Sequence, residues 1–181
     1  MPLLPLLPSP LVLVGFMGCG KSTVGRLLAG RLAWHFCDLD DRIEAAAGAT
    51  IASIFASRGE PAFRELEFRA LQLALAESRE RPTVLALGGG TFAQPHNPGI
   101  IHNAGGATLF LEVPVEELLA RCAGIANRPL FRDEASFHAL YQHRLAFYRQ
   151  AQYTVAASAP PAQVADRILA ALGRPAMLQS T

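Results

Sequence analysis

The stretch that decides the fold is GFMGCGKS, residues 15–22. It fits the pattern G-x-x-x-x-G-K-[ST], in which glycines let the backbone wrap around phosphate oxygens while N–H groups point inward. An apolar run, Leu11–Val14, precedes it, and an amphipathic segment, Lys21–Leu32, follows it. The pattern predicts a phosphate-binding loop between a strand and a helix. In such a loop Lys21 bridges the β- and γ-phosphates of a nucleotide and Ser22 offers its hydroxyl to Mg²⁺.

Lys21 is also the only lysine in the chain, because every other member of the 16 Lys+Arg residues is an arginine. A compact ammonium and a planar guanidinium are not interchangeable where space around a phosphate is short. Its position inside the glycine-rich loop therefore indicates that this lysine has a function in phosphate binding.

Outside the loop, short apolar runs alternate with helical patterns. Predicted strands cover residues 11–14, 34–37, 83–87, 108–111 and 153–156. Predicted helices cover residues 21–32, 61–79, 115–122, 136–150 and 161–172. A helical segment at 43–47 ends at Gly48, and a short helix capped by Thr50 reaches Ser57 before Gly59. This alternation predicts an α/β class protein: a three-layer α/β/α fold with a five-stranded parallel sheet. Ligands bind at the carboxyl ends of such strands, which directs attention to residues 15–23, 38–41, 88–91 and 123–133.

Composition limits the classes of function. The 181 residues suit a single domain, placed at 10–172 between a flexible tail at 1–9 and another at 173–181. A net charge of +1 gives no general attraction to nucleic acid or to a membrane surface, so neither is expected as a partner. Three widely spaced cysteines form no disulfide framework, which favours the cytoplasm. We expect a monomer without structural zinc or a signal peptide.

An acidic segment, Asp38-Leu39-Asp40-Asp41, follows the second predicted strand. Asp38 is placed to support Mg²⁺ through a water molecule, since hard cations prefer carboxylate oxygen. The alternative is that Asp38 or Asp40 caps the next helix. Three carboxylates in four residues are more than a cap requires, and this favours the functional interpretation.

The acceptor of a phosphoryl group has to be inferred from other residues. Arg64 and Glu67 lie three apart on one predicted helix, and Arg144 lies on another. Together with the backbone donors of residues 88–90, two arginines suit an acceptor that carries a carboxylate. Alone, each arginine would be read as a surface charge, and Arg64 as an i,i+4 partner of Glu60.

These motifs jointly resemble the shikimate kinase family. The matching runs, in order, are LVGFMGCGKSTVGRLLA, DLDDRIE, GEPAFRELE, LALGGG, NRPLF and HRLAFYRQAQY, and the resemblance spans about residues 10–172. The phosphate loop is shared with many kinases, whereas D-x-D, F-R-x-x-E and the glycine triplet together are far more specific.

The resemblance implies ATP and shikimate as substrates, Mg²⁺ as the cofactor, and a product, shikimate 3-phosphate, in aromatic amino acid biosynthesis through chorismate. It implies an ATP site made of Gly18, Cys19, Gly20, Lys21, Ser22, Thr23, Arg121 and Arg128, with Ser22 and, through water, Asp38 at the metal. It implies a shikimate site made of Asp40, Arg64, Glu67, Gly89 and Arg144. Catalytic roles fall to Lys21, Asp40 and Arg128, the last on a mobile lid at about residues 123–133.

Three alternatives remain at this point. A gluconate kinase or a nucleoside monophosphate kinase would share the loop and the sheet, but the paired arginines, D-x-D and the glycine triplet favour shikimate. A non-catalytic binding module could also occupy the same scaffold, because fold alone does not fix function. Such a module would be expected to have lost Lys21, Asp38, Asp40 or Arg128, and all four are present.

Overall fold

The computed structural model describes residues 7–123 and 133–173. Its centre is a parallel sheet of five strands in the order β2-β3-β1-β4-β5. The strands are β1 Leu11–Val14, β2 His35–Asp38, β3 Thr83–Ala86, β4 Ala107–Glu112 and β5 Tyr153–Ala156. The predicted five-stranded parallel sheet is therefore confirmed, with β2 shifted by one residue.

The described residues also form seven α-helices and one short 3₁₀ helix, Thr91–Ala93. The α-helices are α1 Lys21–Leu32, α2 Leu39–Ala47, α3 Ile51–Glu77, α4 Asn97–Asn103, α5 Val115–Cys122, α6 Glu134–Tyr148 and α7 Pro161–Leu172. The predicted bounds of α1, α5 and α7 match. The 3₁₀ helix and α4 were not predicted from the sequence.

The hydrophobic core lies on both faces of the sheet. Every residue of β1 and β3 is buried, as expected for central parallel strands covered by helices on each side. The edge strands β2 and β5 are only partly buried. This arrangement is the predicted three-layer fold, and none of the helices in the described ranges has the length and apolar character needed to span a bilayer.

Local signals set the ends of the helices around the site. Gly48 ends α2 in the left-handed conformation, with φ 61°, and the Thr50 hydroxyl caps α3 by accepting from the Ser53 N–H at 3.2 Å. Gly59 interrupts α3 with φ 77° and ψ 172°, so the break predicted there appears as a kink between two helical parts. The kink sets the direction of the part of α3 that carries Arg64 and Glu67.

Parallel pairing brings the carboxyl ends of β1, β2 and β3 to one edge of the sheet. Asp38, the last residue of β2, pairs with Ala86 of β3, and Leu13 of β1 pairs with the same Ala86. The segments that follow these three strands therefore meet, and they are the phosphate loop, the start of α2 and the glycine triplet. The site described next lies there.

Some predicted boundaries cannot be placed. The predicted lid, apart from its terminal residues 123 and 133, and Arg128 lie outside the described residues, as do residues 1–6 and 174–181 of the predicted tails. Ser9, at the end of the predicted N-terminal tail, is bonded to the fold, since its hydroxyl accepts from the Thr83 N–H at 3.2 Å.

Candidate active site

The phosphate loop connects β1 to α1 through glycines whose backbone conformations other residues adopt only with strain. Gly18 has φ 80° and Gly20 has φ 96°. A Cβ on Gly18 would also lie 2.9 Å from the Cys122 Sγ, so this position is closed to larger residues. Gly20 has no side chain with which to cap α1, which leaves the first N–H groups of that helix available to an anion.

Lys21 lies with its ammonium inside this loop. Its Nζ donates to the Gly15 carbonyl at 2.7 Å and to the Phe16 carbonyl at 3.0 Å, and it lies 3.7 Å from the Cys19 Sγ. The side chain of Cys19 is buried beneath the loop. The ammonium is thus held where the predicted phosphate contacts would form, while Thr23 is exposed on the first turn of α1.

Asp38 is the cap of α2, one of the two alternatives left by the sequence, and it also contacts the phosphate loop, while its support of Mg²⁺ stays a prediction. One carboxylate oxygen accepts from the Asp40 N–H at 3.1 Å and caps α2, and the other accepts from the Ser22 hydroxyl at 2.5 Å. The cap fixes the carboxylate at the end of β2, and the second bond joins it to the phosphate loop. An oxygen pair of this kind suits a hard cation such as Mg²⁺.

Within residues 7–123 and 133–173, no group of three or more His, Cys, Asp or Glu side chains could hold a metal ion. At nucleotide sites Mg²⁺ usually takes one or two protein ligands and completes its shell with water and substrate phosphates. Ser22 and Asp38 together provide that small set.

A cavity of about 590 Å³ opens beside the loop, a size suited to a small metabolite. Its lining includes the five residues predicted for the acceptor site: Asp40, Arg64, Glu67, Gly89 and Arg144. Met17 of the phosphate loop lines the same cavity, so the acceptor pocket and the loop share a wall. Residues from α2, α3, α6 and the segment after β3 are thus brought together.

Arg64 is held by two carboxylates on its own helix. Its guanidinium donates to Glu67 at 2.8 Å and to Glu60 at 3.0 Å, and the Glu67 side chain is only 2% exposed. Burial lowers the pKa of Arg64, but the charge of Glu67 and the hydrogen bond to it outweigh burial and raise the pKa overall. Glu67 in turn accepts from the Thr91 hydroxyl at 2.6 Å, which orients its carboxylate.

Arg144 differs from Arg64 because it is buried, at 6% exposure, and no carboxylate of the described residues forms an ion pair with it. Its guanidinium lies 5.7 Å from the centre of the Phe16 ring. A buried cation without a carboxylate partner is costly unless a ligand neutralises it. Arg144 therefore indicates an anion in the cavity.

The glycine triplet at residues 88–90 provides the space in which these charged groups lie. A Cβ on Gly88 would come within 2.6 Å of the Asp40 carboxylate, and one on Gly89 within 3.2 Å of the Arg144 guanidinium. A Cβ on Gly90 would come within 2.8 Å of Arg64 and 3.2 Å of Arg144. The sequence offered no individual function for Gly88 and Gly90, and the structure assigns each a steric one.

Arg121 lies at the end of α5 beside the phosphate loop. It donates to the Gly18 carbonyl at 3.1 Å and lies 3.5 Å from the Ala157 carbonyl, after β5. It thus connects the loop to the segment after the last strand. Its predicted contact with adenine stays a prediction.

The sequence reasoning missed Thr91, Asn97 and Tyr148. Thr91 follows the glycine triplet directly, and the Asn97 amide donates to its carbonyl at 2.8 Å. Tyr148 lies one helical turn after Arg144, and its hydroxyl donates to the Gly89 carbonyl. The spacing from Arg144 was the one available signal for Tyr148.

Comparison with known proteins assigns the family. The family model described as shikimate kinase matches residues 17–173, nearly the whole chain. This chain belongs to the shikimate kinase family. It is accordingly an ATP-dependent kinase with the predicted P-loop fold.

Individual shikimate kinases agree with this assignment. The shikimate kinase of Synechococcus elongatus is 40% identical over 164 residues, covering 88% of this chain and 84% of that protein. The structure of shikimate kinase from Acinetobacter baumannii in complex with shikimate is 37% identical, with a TM-score of 0.83 over 92% of this chain and 93% of that one. A gluconokinase from Sinorhizobium meliloti has a TM-score of 0.64 at 19% identity, over 94% of each chain, and shares the fold.

Proposed function

We propose that this protein transfers the γ-phosphoryl group of ATP to the 3-hydroxyl of shikimate in a Mg²⁺-dependent reaction. The products are shikimate 3-phosphate and ADP, and the reaction is a step towards chorismate and the aromatic amino acids. The observation that carries the proposal is the cavity beside the phosphate loop, in which Asp40, Arg64 and Arg144 meet.

The two arginines support an acceptor with one carboxylate. Arg64 is already paired with Glu67, whereas Arg144 has no carboxylate partner among the described residues. Binding a carboxylate between the two guanidinium groups supplies the missing partner through charge-assisted hydrogen bonds. Holding the carboxylate between the two arginines also fixes the ring of the acceptor, so that one hydroxyl faces the phosphate loop. This lowers the entropic part of the activation barrier.

On the nucleotide side, the loop N–H groups and Lys21 bind the phosphates, and Ser22 and, through water, Asp38 would hold the magnesium ion. Bound there, magnesium neutralises negative charge on the phosphate oxygens. Lys21 exchanges its contacts with the Gly15 and Phe16 carbonyls for phosphate oxygens. Because phosphoryl transfer has a loose transition state, charge neutralisation and alignment do most of the catalytic work.

Asp40 is the residue that faces the acceptor hydroxyl. Its backbone is fixed by the bond to Asp38, and its carboxylate lies against Gly88 on the floor of the cavity. Asp40 accepts a hydrogen bond from the 3-hydroxyl of shikimate and aligns that oxygen with the γ-phosphorus. In the transfer, the bond from the γ-phosphorus to ADP breaks as the bond to the shikimate oxygen forms, and the hydroxyl proton leaves along its hydrogen bond to the Asp40 carboxylate.

The same proposal includes the functions of Arg128 and Arg121, the oligomeric state and the location of the protein in the cell. Arg128 neutralises phosphoryl charge from the lid and Arg121 contacts adenine, as the resemblance implies. The protein works as a monomer in the cytoplasm, where ATP is available and Cys19, Cys37 and Cys122 stay reduced.

The purified protein is expected to release ADP rapidly with shikimate, ATP and magnesium, and at least about 100-fold more slowly with gluconate, AMP or CMP. These rivals also carry an anionic group, but only a small ring acid is expected to hold its carboxylate between the arginines and its hydroxyl in line with the γ-phosphorus at the same time. A coupled assay of ADP release measures each rate. Faster turnover of gluconate or of a nucleoside monophosphate would contradict shikimate as the acceptor. ATP binding without turnover of any acceptor would instead favour a non-catalytic module.

Gly90→Ala is expected to raise the KM for shikimate by about 10- to 100-fold, since it displaces guanidinium groups whose charged hydrogen bonds are worth about 1.5–3 kcal/mol each. The added methyl group would meet the ends of Arg64 and Arg144, which can move, so the protein should still fold. Steady-state kinetics with saturating ATP measure the effect.

Gly99→Ala is the matched control, because Gly99 lies in α4 and a Cβ there meets nothing within 4 Å. Its KM for shikimate should equal that of the wild type. If Gly90→Ala also left the KM for shikimate unchanged, the positions of the two arginines would not depend on the absence of a side chain at residue 90.

A further inference from the structure

Tyr148 is a fully buried residue at the end of α6, with 0% exposure and no part in the proposed chemistry. Its hydroxyl donates to the carbonyl of Gly89, the middle residue of the glycine triplet. The bond joins two segments that are 59 positions apart in the chain. A buried hydroxyl aimed at a loop next to the acceptor cavity calls for a physical explanation.

The same hydroxyl interacts with Arg144. Burial raises the pKa of Tyr148, and the charge of Arg144 and its hydrogen bond to the phenol oxygen partly oppose that rise. The phenol therefore stays neutral and donates to Gly89, and a Cβ on Gly89 would lie 3.2 Å from Arg144 Nη1 and 3.8 Å from the Tyr148 hydroxyl, so the two side chains meet at this residue. Arg144 has no carboxylate partner among the described residues, and the Tyr148 hydroxyl is a polar neighbour that favours one position of its guanidinium beside Gly89.

The Tyr148 ring is anchored to the centre of the sheet. It packs against Phe110 of β4, with ring centroids 5.4 Å apart and an interplanar angle of 30°. Phe110 is itself buried and pairs with Val14, the last residue of β1 before the phosphate loop. A ring held in this way gives the hydroxyl a fixed position relative to the loop.

Gly89 lies between the two halves of the site. A Cβ at this position would be 3.2 Å from Arg144 Nη1 and 3.7 Å from the backbone nitrogen of Met17 in the phosphate loop. A rotation of the Gly89 peptide would therefore change the shape of the acceptor cavity. It would also change the distance between that cavity and the phosphate loop. The bond from Tyr148 to the Gly89 carbonyl opposes such a rotation.

We propose that Tyr148 is a positioning residue for the acceptor, acting through Arg144 and the Gly89 peptide without touching shikimate. The inference rests on the proposed function, because it assigns Tyr148 to the same shikimate site. It distinguishes Tyr148 from an ordinary core aromatic residue, whose loss would lower stability but leave the KM for shikimate unchanged.

Tyr148→Phe is expected to raise the KM for shikimate by roughly 10-fold, the loss of about one net hydrogen bond. The KM for ATP should change by less than about 2-fold, and kcat only modestly, because the phosphate loop is untouched. Tyr141→Phe is the matched control. Tyr141 is also buried on α6, and its hydroxyl donates to the Val113 carbonyl at 3.4 Å, away from the acceptor cavity.

Thermal melting of both variants separates stability from positioning. Equal losses of Tm with a raised KM only in Tyr148→Phe would support the proposal, whereas an unchanged KM in both would overturn it. If Tyr148→Phe proved too unstable at the assay temperature, the shikimate KM values of Tyr148→Phe and Tyr141→Phe would be compared at a lower temperature, below the Tm of both. Equal KM values for those two variants would overturn the proposal.

A double-mutant cycle tests the route through Arg144. In the Arg144→Ala background, the added Tyr148→Phe change should alter kcat/KM by a smaller factor than in the wild type, because one of its two targets is gone. Equal factors in both backgrounds would overturn that route. Calorimetric titration of the wild type with shikimate comes first, and absence of binding would count against the proposed function itself. If the wild type binds shikimate and Tyr148→Phe binds it equally well, the result counts against this inference alone.

Discussion

Lys21→Met is expected to lower kcat for shikimate phosphorylation by about 10²- to 10³-fold, the usual cost of removing one charge-stabilising donor from a transition state. The ammonium lies inside the loop, 2.7 Å from the Gly15 carbonyl and 3.0 Å from the Phe16 carbonyl. Methionine keeps most of the side chain's length and removes its charge. Single-turnover measurements at saturating ATP would separate the loss of chemistry from weaker nucleotide binding.

Lys21→Arg provides the sharper half of this prediction. The remaining members of the 16 Lys+Arg residues are all arginines, so general charge preference in this chain does not explain the lysine. A guanidinium is larger and planar, and it cannot replace a compact ammonium among closely spaced loop carbonyls. We therefore expect Lys21→Arg to lose most of the activity although it keeps the charge. Near-normal turnover by this variant would show that positive charge alone is sufficient.

Chemical modification offers an independent measurement on the unaltered protein. Lys21 supplies the one side-chain amine, so an amine-selective reagent can act only there and at the N-terminus. Activity should fall as Lys21 is modified, and ATP should slow the fall because it covers the ammonium. Inactivation at the same rate with and without ATP would separate Lys21 from the nucleotide site.

The phosphate loop and the sheet could be predicted because their determinants are local. The glycines of residues 15–20 specify a turn with positive φ angles, and the buried strands appear as short apolar runs between helical patterns. The function of Asp38 was harder to predict, because a helix-capping aspartate and a metal-site aspartate cannot be distinguished by sequence alone. The structure shows that its two oxygens act separately, one at the Asp40 N–H and one at the Ser22 hydroxyl.

The remaining features depend on contacts between distant segments. Helix α4 has seven residues and contains a proline at its start, so it lacks the length over which a helical period becomes visible. The function of Gly90 becomes apparent only when α3 and α6 bring Arg64 and Arg144 to its Cα. Spacing along the chain likewise did not reveal that the Tyr148 hydroxyl reaches Gly89, 59 positions away.

Glu67 contributes both to the stability of the fold and to the binding of the acceptor. Its carboxylate is almost fully buried and is held by Arg64 at 2.8 Å and by the Thr91 hydroxyl at 2.6 Å. The Asn97 amide fixes Thr91 in turn, through its carbonyl. A chain of buried polar contacts therefore runs from α4 to the guanidinium at the cavity. Such a network is costly to break at one point, because every group left behind loses its partner.

Arg64→Ala is expected to raise the KM for shikimate by about 10- to 100-fold, since it removes a charged hydrogen bond to the acceptor. It should also lower the free energy of unfolding by about 3 kcal/mol, because it leaves the buried Glu67 carboxylate without its cation. Urea denaturation and steady-state kinetics measure the two effects separately. The matched control is Arg69→Ala on the same helix: the Arg69–Glu65 pair is 68% and 64% exposed, so its loss should change stability by no more than about 0.5 kcal/mol and the KM not at all.

The double variant Arg64→Ala/Glu67→Gln separates the two effects of Arg64. Removing the carboxylate charge together with the guanidinium should recover much of the lost stability, because no unpaired ion then remains buried, while the Thr91 bond can still form. The KM for shikimate should stay high, because the acceptor still lacks half of its clamp. Recovery of both quantities together would mean that Arg64 serves the fold alone, and that Arg144 is sufficient to hold the carboxylate.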